Sequence, residues 1–440
     1  MYLISSRTRT LKGEAALPGD KSLSHRAALL ASLADGRSRI SNFLAAGVTG
    51  VMVSSLSALG VGITRRKTSL TVHGKGIGGY QTPAQALKCG NSATTIRLLA
   101  GGLAAAGTAA DLDGSDGLRS RPMNRIVQPL QQMGVPIAAS GAGTAPLRLQ
   151  ARPKDRPLKA IQYTLPVASA QIKSCLLLAA LAADGESVLR EPGPSRDHTE
   201  RMLRGMGVTL VSERVDHVYA TRIVPAGRLE PIEYVVPGDM SSAAFLIVAA
   251  LIVRDARVTI RGVGLNPTRT GLIEVLLSMG ADITITPRGD QCGEPIGDLT
   301  VCSSSLQATR VSGELVVRMI DEFPIFAVAA AFANGKTVVE DAGELRHKES
   351  DRIAALCTEL RAIGVKAQEL PEGFVIHGGR KLPGGCVDPH GDHRLAMSLA
   401  VAGLITEKPV IVPRAEYINE SFPGFVDTMS ALGANFETGR

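Results

Sequence analysis

LPGDKSLSHRAALLASLA (Leu17–Ala34) and PGDMSSAAFLIVAALIV (Pro237–Val253) carry one pattern twice. Each opens on Pro-Gly-Asp, passes through a few polar residues and ends in a run of Ala, Leu, Ile or Val. Pro18-Gly19 stops a preceding strand, and Asp20 or Ser22 is suited to cap the orphan N–H groups of a first helical turn. The apolar run favours a helix that is buried. Pro18 and Pro237 stand 219 residues apart, which is three times 73.

That spacing is part of a repeat. A hydrophobic-Gly step recurs as ALGVGI, QMGVPI, GMGVTL, SMGADI, AIGVKA and ALGANF. Its glycines are Gly60, Gly134, Gly207, Gly280, Gly364 and Gly433, separated by 74, 73, 73, 84 and 69 residues. Glycine at that point suits a left-handed helix C-cap, and the alternating residues beyond it predict a strand. Half a repeat earlier lies a more apolar helix opening on PGDKSLSH, CGNSATTIR, PVASAQIKS, PGDMSSAAF, IDEFPIFA or HGDHRLAM. The predicted unit is strand, helix, strand, helix, six times over, an α/β architecture with buried helices. The six units form two sets of three. One domain is expected over 18–236 and a second over 237–440, with 1–17 adding a strand to the second. Met240 takes the place of Lys21, so one active site is expected, in a cleft between the domains, rather than one in each.

Composition narrows the function. Hydrophobic residues make up 45% of 440, which excludes general disorder. The longest apolar stretches fall short of a membrane span, and MYLISSRTRT lacks a signal-peptide pattern, so a cytoplasmic protein is expected. The six cysteines have no CxxC spacing and read as free thiols. A net charge of +7 favours acidic partners. Aromatics are only 3%, and Trp is absent, which argues against nucleic acid and for small anions.

Lys21 and Arg26 are oddly placed, because the positive end of a helix dipole repels cations. A bound anion would resolve this, and an ordinary solvated cap is the alternative. Other polar residues that do not suit a core gather at helix openings: Asn91 and Arg97; Ser169, Gln171 and Lys173; Asp321 and Glu322; His390, Asp392, His393 and Arg394. LRSRPMN adds Arg119 and Arg121, and ELRHKESDRI adds Arg346, Lys348, Glu349, Asp351 and Arg352. Converging helix starts with such cations attract anions, and arginine forks suit carboxylate and phosphate. Asp321 and Glu349 are candidate proton carriers. The plain alternatives are an N-cap for Asp321 and a surface partner of Arg352 for Glu349. HGDHR has no further ligand pattern to support a metal, and GKGIGG (Gly74–Gly79) reads as a turn.

PGDKSLSHR, GNSATTIR, SRPM, ASAQIKS, SRDHTERM, MIDEFP, ELRHKESDR and GDHR together resemble the 5-enolpyruvylshikimate-3-phosphate synthase family over essentially the whole chain. The resemblance implies a two-domain inside-out α/β barrel, each domain three βαβαββ repeats with buried parallel helices. It implies transfer of the enolpyruvyl group of phosphoenolpyruvate to the 5-hydroxyl of shikimate 3-phosphate, with no cofactor and no metal. By that similarity Lys21, Ser22, Arg26, Ser169, Gln171, Arg196, Asp321 and Lys348 would hold shikimate 3-phosphate. Lys21, Asn91, Arg121, Gln171, Arg352 and Arg394 would hold phosphoenolpyruvate. Lys21, Asp321 and Glu349 would carry the proton transfers. The partners implied are these small molecules alone, with no nucleic acid or membrane, and a monomer is expected.

Two departures stand out. Many relatives resemble AKTFP near the C-terminus, where this chain reads NESFP, so Glu420 replaces a lysine that touches phosphoenolpyruvate. In GNSATT, Ala93 stands where glyphosate-sensitive relatives have glycine, which predicts tolerance. The competing reading is the related transferase acting on UDP-N-acetylglucosamine. That enzyme carries Lys-Asn where Lys21-Ser22 stand, and a cysteine in the loop that here reads GSDGLRSRP.

Overall fold

The computed structural model describes residues 1–153, 155–215, 218–379 and 381–439. They divide into two compact units. One comprises Gly19–Val236 with Asp290–Glu294; the other comprises Met1–Pro18, Pro237–Gly289 and Pro295–Arg440.

Each unit contains three four-stranded sheets built alike. In the first, helix Lys21–Leu33 leads to strand Arg37–Ser41, helix Gly47–Ala58 and the strands Gly62–Arg66 and Ser69–His73. The sheet order is Glu233–Val235, Arg37–Ser41, Ser69–His73, Gly62–Arg66, with the first pair parallel and the others antiparallel. A parallel pair needs a crossover, and a buried helix supplies it in the next two repeats of this unit. Here Glu233–Val235, from the end of the third repeat, serves as the first strand.

The second unit closes its sheets with the chain's beginning. Lys12–Ala16 pairs parallel with Arg257–Gly264, and Tyr2–Ser6 lies antiparallel between Val410–Pro413 and Asn435–Gly439. Without these strands two sheets would present unpaired backbone groups.

Two kinds of helix alternate. Lys21–Leu33, Ala93–Ala106, Ala170–Ala180, Met240–Ile252, Phe323–Phe332 and His393–Gly403 are buried almost all round, as their apolar sequences require. Ala93–Ala106 and Ala170–Ala180 cross so closely that a Cβ on Gly101 would lie 2.4 Å from the Cys175 carbonyl oxygen. The alternate helices bury one stripe only; Asn124–Gln132 buries Ile126, Val127, Pro129 and Leu130. Each of these ends on a repeat glycine, and all six have φ between 84° and 104°. A side chain there would meet the left-handed penalty, so the predicted caps are borne out.

A longer hairpin accounts for much of the excess in the spacing of 84. The hairpin strands Asp282–Gln291 and Glu294–Cys302 have ten and nine residues, against six and six for Leu210–Val215 and Val218–Ile223. Gly74–Gly79 contains a turn. Among the described residues no helix is long and apolar enough to cross a membrane.

Candidate active site

In the unit built on Gly19–Val236, Asp20 caps the first inner helix, its carboxylate accepting from the Leu23 N–H at 2.8 Å. Lys21 and Ser22 therefore occupy the first turn and are partly exposed. One turn further, Arg26 is only 3% exposed. Its Nε donates to Thr199 Oγ1 (2.8 Å), Nη2 to Ser174 Oγ (2.9 Å) and Nη1 to the Ser22 carbonyl (3.1 Å). It thus ties this helix to Ala170–Ala180 and His198–Gly205. Burial pulls its pKa down to about 10, the Glu200 carboxylate opposing and the Arg196 cation adding to the fall. Arg196 Nη1 lies 3.4 Å from Ser22 Oγ, which brings together two residues expected to bind shikimate 3-phosphate.

His25 is buried beside them, its Nδ1 2.7 Å from the Lys21 carbonyl and its Nε2 3.0 Å from that of Val48. Burial pushes it down to about 4.

A second group forms at the next two helix starts. Ser92 caps helix Ala93–Ala106 through Thr95 N, and Ala93 is its first residue, 6% exposed. Gln171 Nε2 donates to Thr94 Oγ1 (2.9 Å) and its Oε1 accepts from Arg97 Nη1 (2.5 Å). Arg97 Nη2 reaches the Pro122 carbonyl at 3.0 Å, beside Arg121. Arg97 was visible in the sequence as a polar residue out of place, but its bond to Gln171 is revealed only by the fold. Ser169 is the N-cap residue of Ala170–Ala180 and makes no side-chain capping bond. Asn91 Oδ1 accepts from Ser115 Oγ at 3.3 Å.

Two cations grouped by sequence with the anion attractors are committed elsewhere. Arg119 forks onto the Asp113 carboxylate at 2.9 and 2.5 Å. Lys173 is buried between Glu191 and Glu200. Nearby, Asp197, His198 and Glu294 offer ligand atoms within 4.8 Å of one another, but Arg201 Nε donates to Asp197 and His198 Nδ1 bonds Glu294 at 2.7 Å.

In the other unit the predicted residues form one network. Arg352 is 1% exposed; its Nε donates to Asp392 Oδ2 (2.7 Å) and its Nη2 to Glu349 Oε2 (2.7 Å). Its Nη1 lies 3.4 Å from Asp321 Oδ1. Lys348 Nζ and Arg394 Nη2 stand 3.9 and 3.7 Å from the same Asp321 carboxylate. Three cations thus balance three carboxylates. Burial alone would make Arg352 easier to deprotonate, yet Asp392, Glu349 and Asp321 hold its pKa above the ordinary value.

The N-cap of helix Phe323–Phe332 is Glu322, so Asp321 is not the cap that its position suggested. Glu349 is bonded to a buried arginine, not to a surface one. Asp392, which the sequence showed only as a polar residue at a helix opening without a role, is fully buried, grips Arg352 and accepts from the Arg394 N–H at 2.8 Å. Glu420 Oε2 lies 3.7 Å from His393 Nδ1.

The model of the family described as EPSP synthase (3-phosphoshikimate 1-carboxyvinyltransferase) matches residues 6–429. A protein of Halorhodospira halophila named 3-phosphoshikimate 1-carboxyvinyltransferase is 47% identical over 429 residues, covering 97% of this chain and 95% of that one. One of the same name from Syntrophomonas wolfei is 45% identical over 433 residues, covering 98% and 100%. The solved structure of EPSP synthase from Acinetobacter baumannii superposes with a TM-score of 0.89 at 39% identity, covering 100% of this chain and 99% of that one. The enolpyruvyl transferase NikO from Streptomyces tendae shares the fold at 17% identity, with a TM-score of 0.78 and coverage of 99% and 98%. The inside-out α/β barrel class and its βαβαββ repeats agree with these neighbours. By sequence match over nearly its whole length, the chain belongs to the EPSP synthase (3-phosphoshikimate 1-carboxyvinyltransferase) family.

Proposed function

We infer that this chain is a 3-phosphoshikimate 1-carboxyvinyltransferase. It moves the enolpyruvyl group of phosphoenolpyruvate onto the 5-hydroxyl of shikimate 3-phosphate and releases inorganic phosphate. Beyond family membership, the observation that carries this reading is Asp321, one carboxylate faced by Lys348, Arg352 and Arg394 within 3.9 Å. Anionic substrates would share these cations and loosen their hold on Asp321, making it a better base.

In this mechanism Asp321 takes the proton of the 5-hydroxyl while the hydroxyl oxygen adds to C2 of phosphoenolpyruvate. Glu349 or Lys21 delivers a proton to the methylene carbon, giving a tetrahedral intermediate. The same group, now deprotonated, takes a methyl proton back as phosphate departs, which restores the double bond. Ser22, Arg26, Ser169, Gln171, Arg196 and Lys348 hold shikimate 3-phosphate together with Lys21 and Asp321. Arg121, Gln171, Arg352 and Arg394, with Lys21 and the backbone near Asn91, hold phosphoenolpyruvate. Fixed positive charge around the intermediate supplies the largest share of the acceleration. Every step is a proton transfer or a C–O exchange, so neither cofactor nor metal is part of the proposal.

Phosphate release from phosphoenolpyruvate, measured with each acceptor, tests the assignment. Turnover with shikimate 3-phosphate and none with UDP-N-acetylglucosamine is expected; the reverse result rejects it. The domain limits 18–236 and 1–17 with 237–440, with residues of both sets serving one reaction, belong to the same proposal. So does a cytoplasmic monomer, which light scattering coupled to size exclusion tests for mass. Ala93 further supports glyphosate tolerance, because its methyl would crowd the longer inhibitor more than phosphoenolpyruvate. Millimolar inhibition is expected, with tightening in Ala93→Gly; micromolar inhibition of the unaltered enzyme rejects the idea.

A further inference from the structure

The mechanism leaves one buried set of charges unused. Lys173 Nζ, on helix Ala170–Ala180, lies 2.5 Å from Glu191 Oε1 and 2.8 Å from Glu200 Oε1, and it donates to the Ser195 carbonyl at 3.3 Å. Ser195 Oγ in turn donates to Glu191 Oε2. The three charged side chains are at most 5% exposed. Arg26, a residue of the proposed site and likewise buried, also feels the Glu200 carboxylate. Burying such charges seldom adds net stability over apolar packing, which leaves geometry as the reason to keep them.

The geometry is specific. The Ser195 carbonyl belongs to the peptide that joins Ser195 to Arg196, so Lys173 holds the backbone from which Arg196 projects. The next residue, Ser174, accepts from Arg26, which in turn braces the Ser22 carbonyl. Ser169, the N-cap residue of that helix, and Gln171 precede Lys173 by four and two residues. Removing the Lys173 ammonium would free the 192–197 loop from helix Ala170–Ala180 and leave Glu191 and Glu200 repelling each other.

We propose that Lys173 is a positioning residue for the known reaction class, one that sets Arg196 and Ser22 for the phosphate-bearing acceptor while touching no substrate itself. The inference rests on the function proposed above, in which Arg196 and Ser22 contact shikimate 3-phosphate.

Steady-state kinetics of Lys173→Met with each substrate varied, alongside thermal melting, test it. The KM for shikimate 3-phosphate is expected to rise roughly ten- to hundred-fold, as for a misplaced binding group. The KM for phosphoenolpyruvate should stay within about two-fold. Lys173→Met/Glu191→Gln removes one charge of each sign and keeps the interior neutral; it should melt nearer to the wild type and show the same selective rise. Should neither fold, Ser195→Ala, which only frees Glu191 Oε2, should give a smaller rise in the same KM. An unchanged KM for shikimate 3-phosphate in any folded variant, or equal rises for both substrates, overturns the proposal. Wild-type enzyme that does not turn over shikimate 3-phosphate overturns the functional reading first and this inference with it; active wild type with unmoved variants rejects this inference alone.

Discussion

The helix starts at Pro18–Ser22 and Pro237–Ser241 share Pro-Gly-Asp and differ in where their charge goes. In the first, Lys21 and Ser22 remain partly exposed and Arg196 approaches Ser22. In the second, Met240 is 1% and Ser241 4% exposed. There Arg269 Nη2 donates to Ser241 Oγ at 2.8 Å and lies 3.5 Å from Asp239 and 3.7 Å from Glu322. Ser241 Oγ also donates to Glu322. The second start is buried around an internal ion pair; the first keeps its lysine and serine partly exposed. Both starts carry a capping aspartate, so they differ in the basic residue and its exposure rather than in the cap.

Matched substitutions at the two starts can break this contrast. The largest effect is expected for Arg269→Met, which leaves buried Glu322 and Asp239 without their cation and lowers unfolding free energy by about 3–5 kcal/mol in urea titrations. The activity of the folded fraction should be unchanged. Lys21→Met, which makes the first start resemble the second, should do the opposite. Phosphate release is expected to fall roughly 10²–10³-fold, as when a preorganised charge is removed, with little change in melting. Equal behaviour of the two variants would dissolve the distinction.

A subtler difference lies one turn in, where His25 stands at the place that Ala244 takes in the other start, 219 residues on. Burial, helped by the nearby Lys21 and Arg26 cations, keeps His25 neutral down to about pH 4, whereas the unfolded chain protonates it near 6.5. The unfolded state therefore binds more protons between those values. This contribution to stability is intact above pH 6.5 and declines as pH falls toward 4, by at most about 1.4 kcal/mol per unit. His25→Gln should flatten that part of the stability profile measured by denaturant titration. The smallest effect is expected for Asp20→Ala, which removes the cap on Leu23 N and should lower stability by about 1 kcal/mol.

Much of the fold was legible because its signals are local. A glycine after a hydrophobic residue can be read as a left-handed cap from its immediate neighbours, and all six obey. Wholly apolar helices such as Phe323–Phe332 announce their own burial. The site was legible only as residue types. Lys173 follows Ser169 and Gln171 at even spacing and reads as one more cation at a helix opening; its pairing with Glu191 and Glu200 spans 18 and 27 positions and has no local mark. Asp392 was hidden similarly, since its partner Arg352 lies 40 residues away. Glu349 read as a surface partner because nothing near it reveals that Arg352 is buried.

What the sequence by itself determined is the sixfold unit, its caps, and the single lysine that distinguishes one Pro-Gly-Asp start from the other. These depend on φ, on hydrogen bonds within one turn and on apolar periodicity, all set by residues a few positions apart. Only the tertiary structure decided which charges are neutralised inside the protein and which remain available. Desolvation and Coulomb energy depend on the atoms that end up within a few ångströms, and for Arg26, Lys173, Arg269 and Arg352 those atoms come from distant parts of the chain.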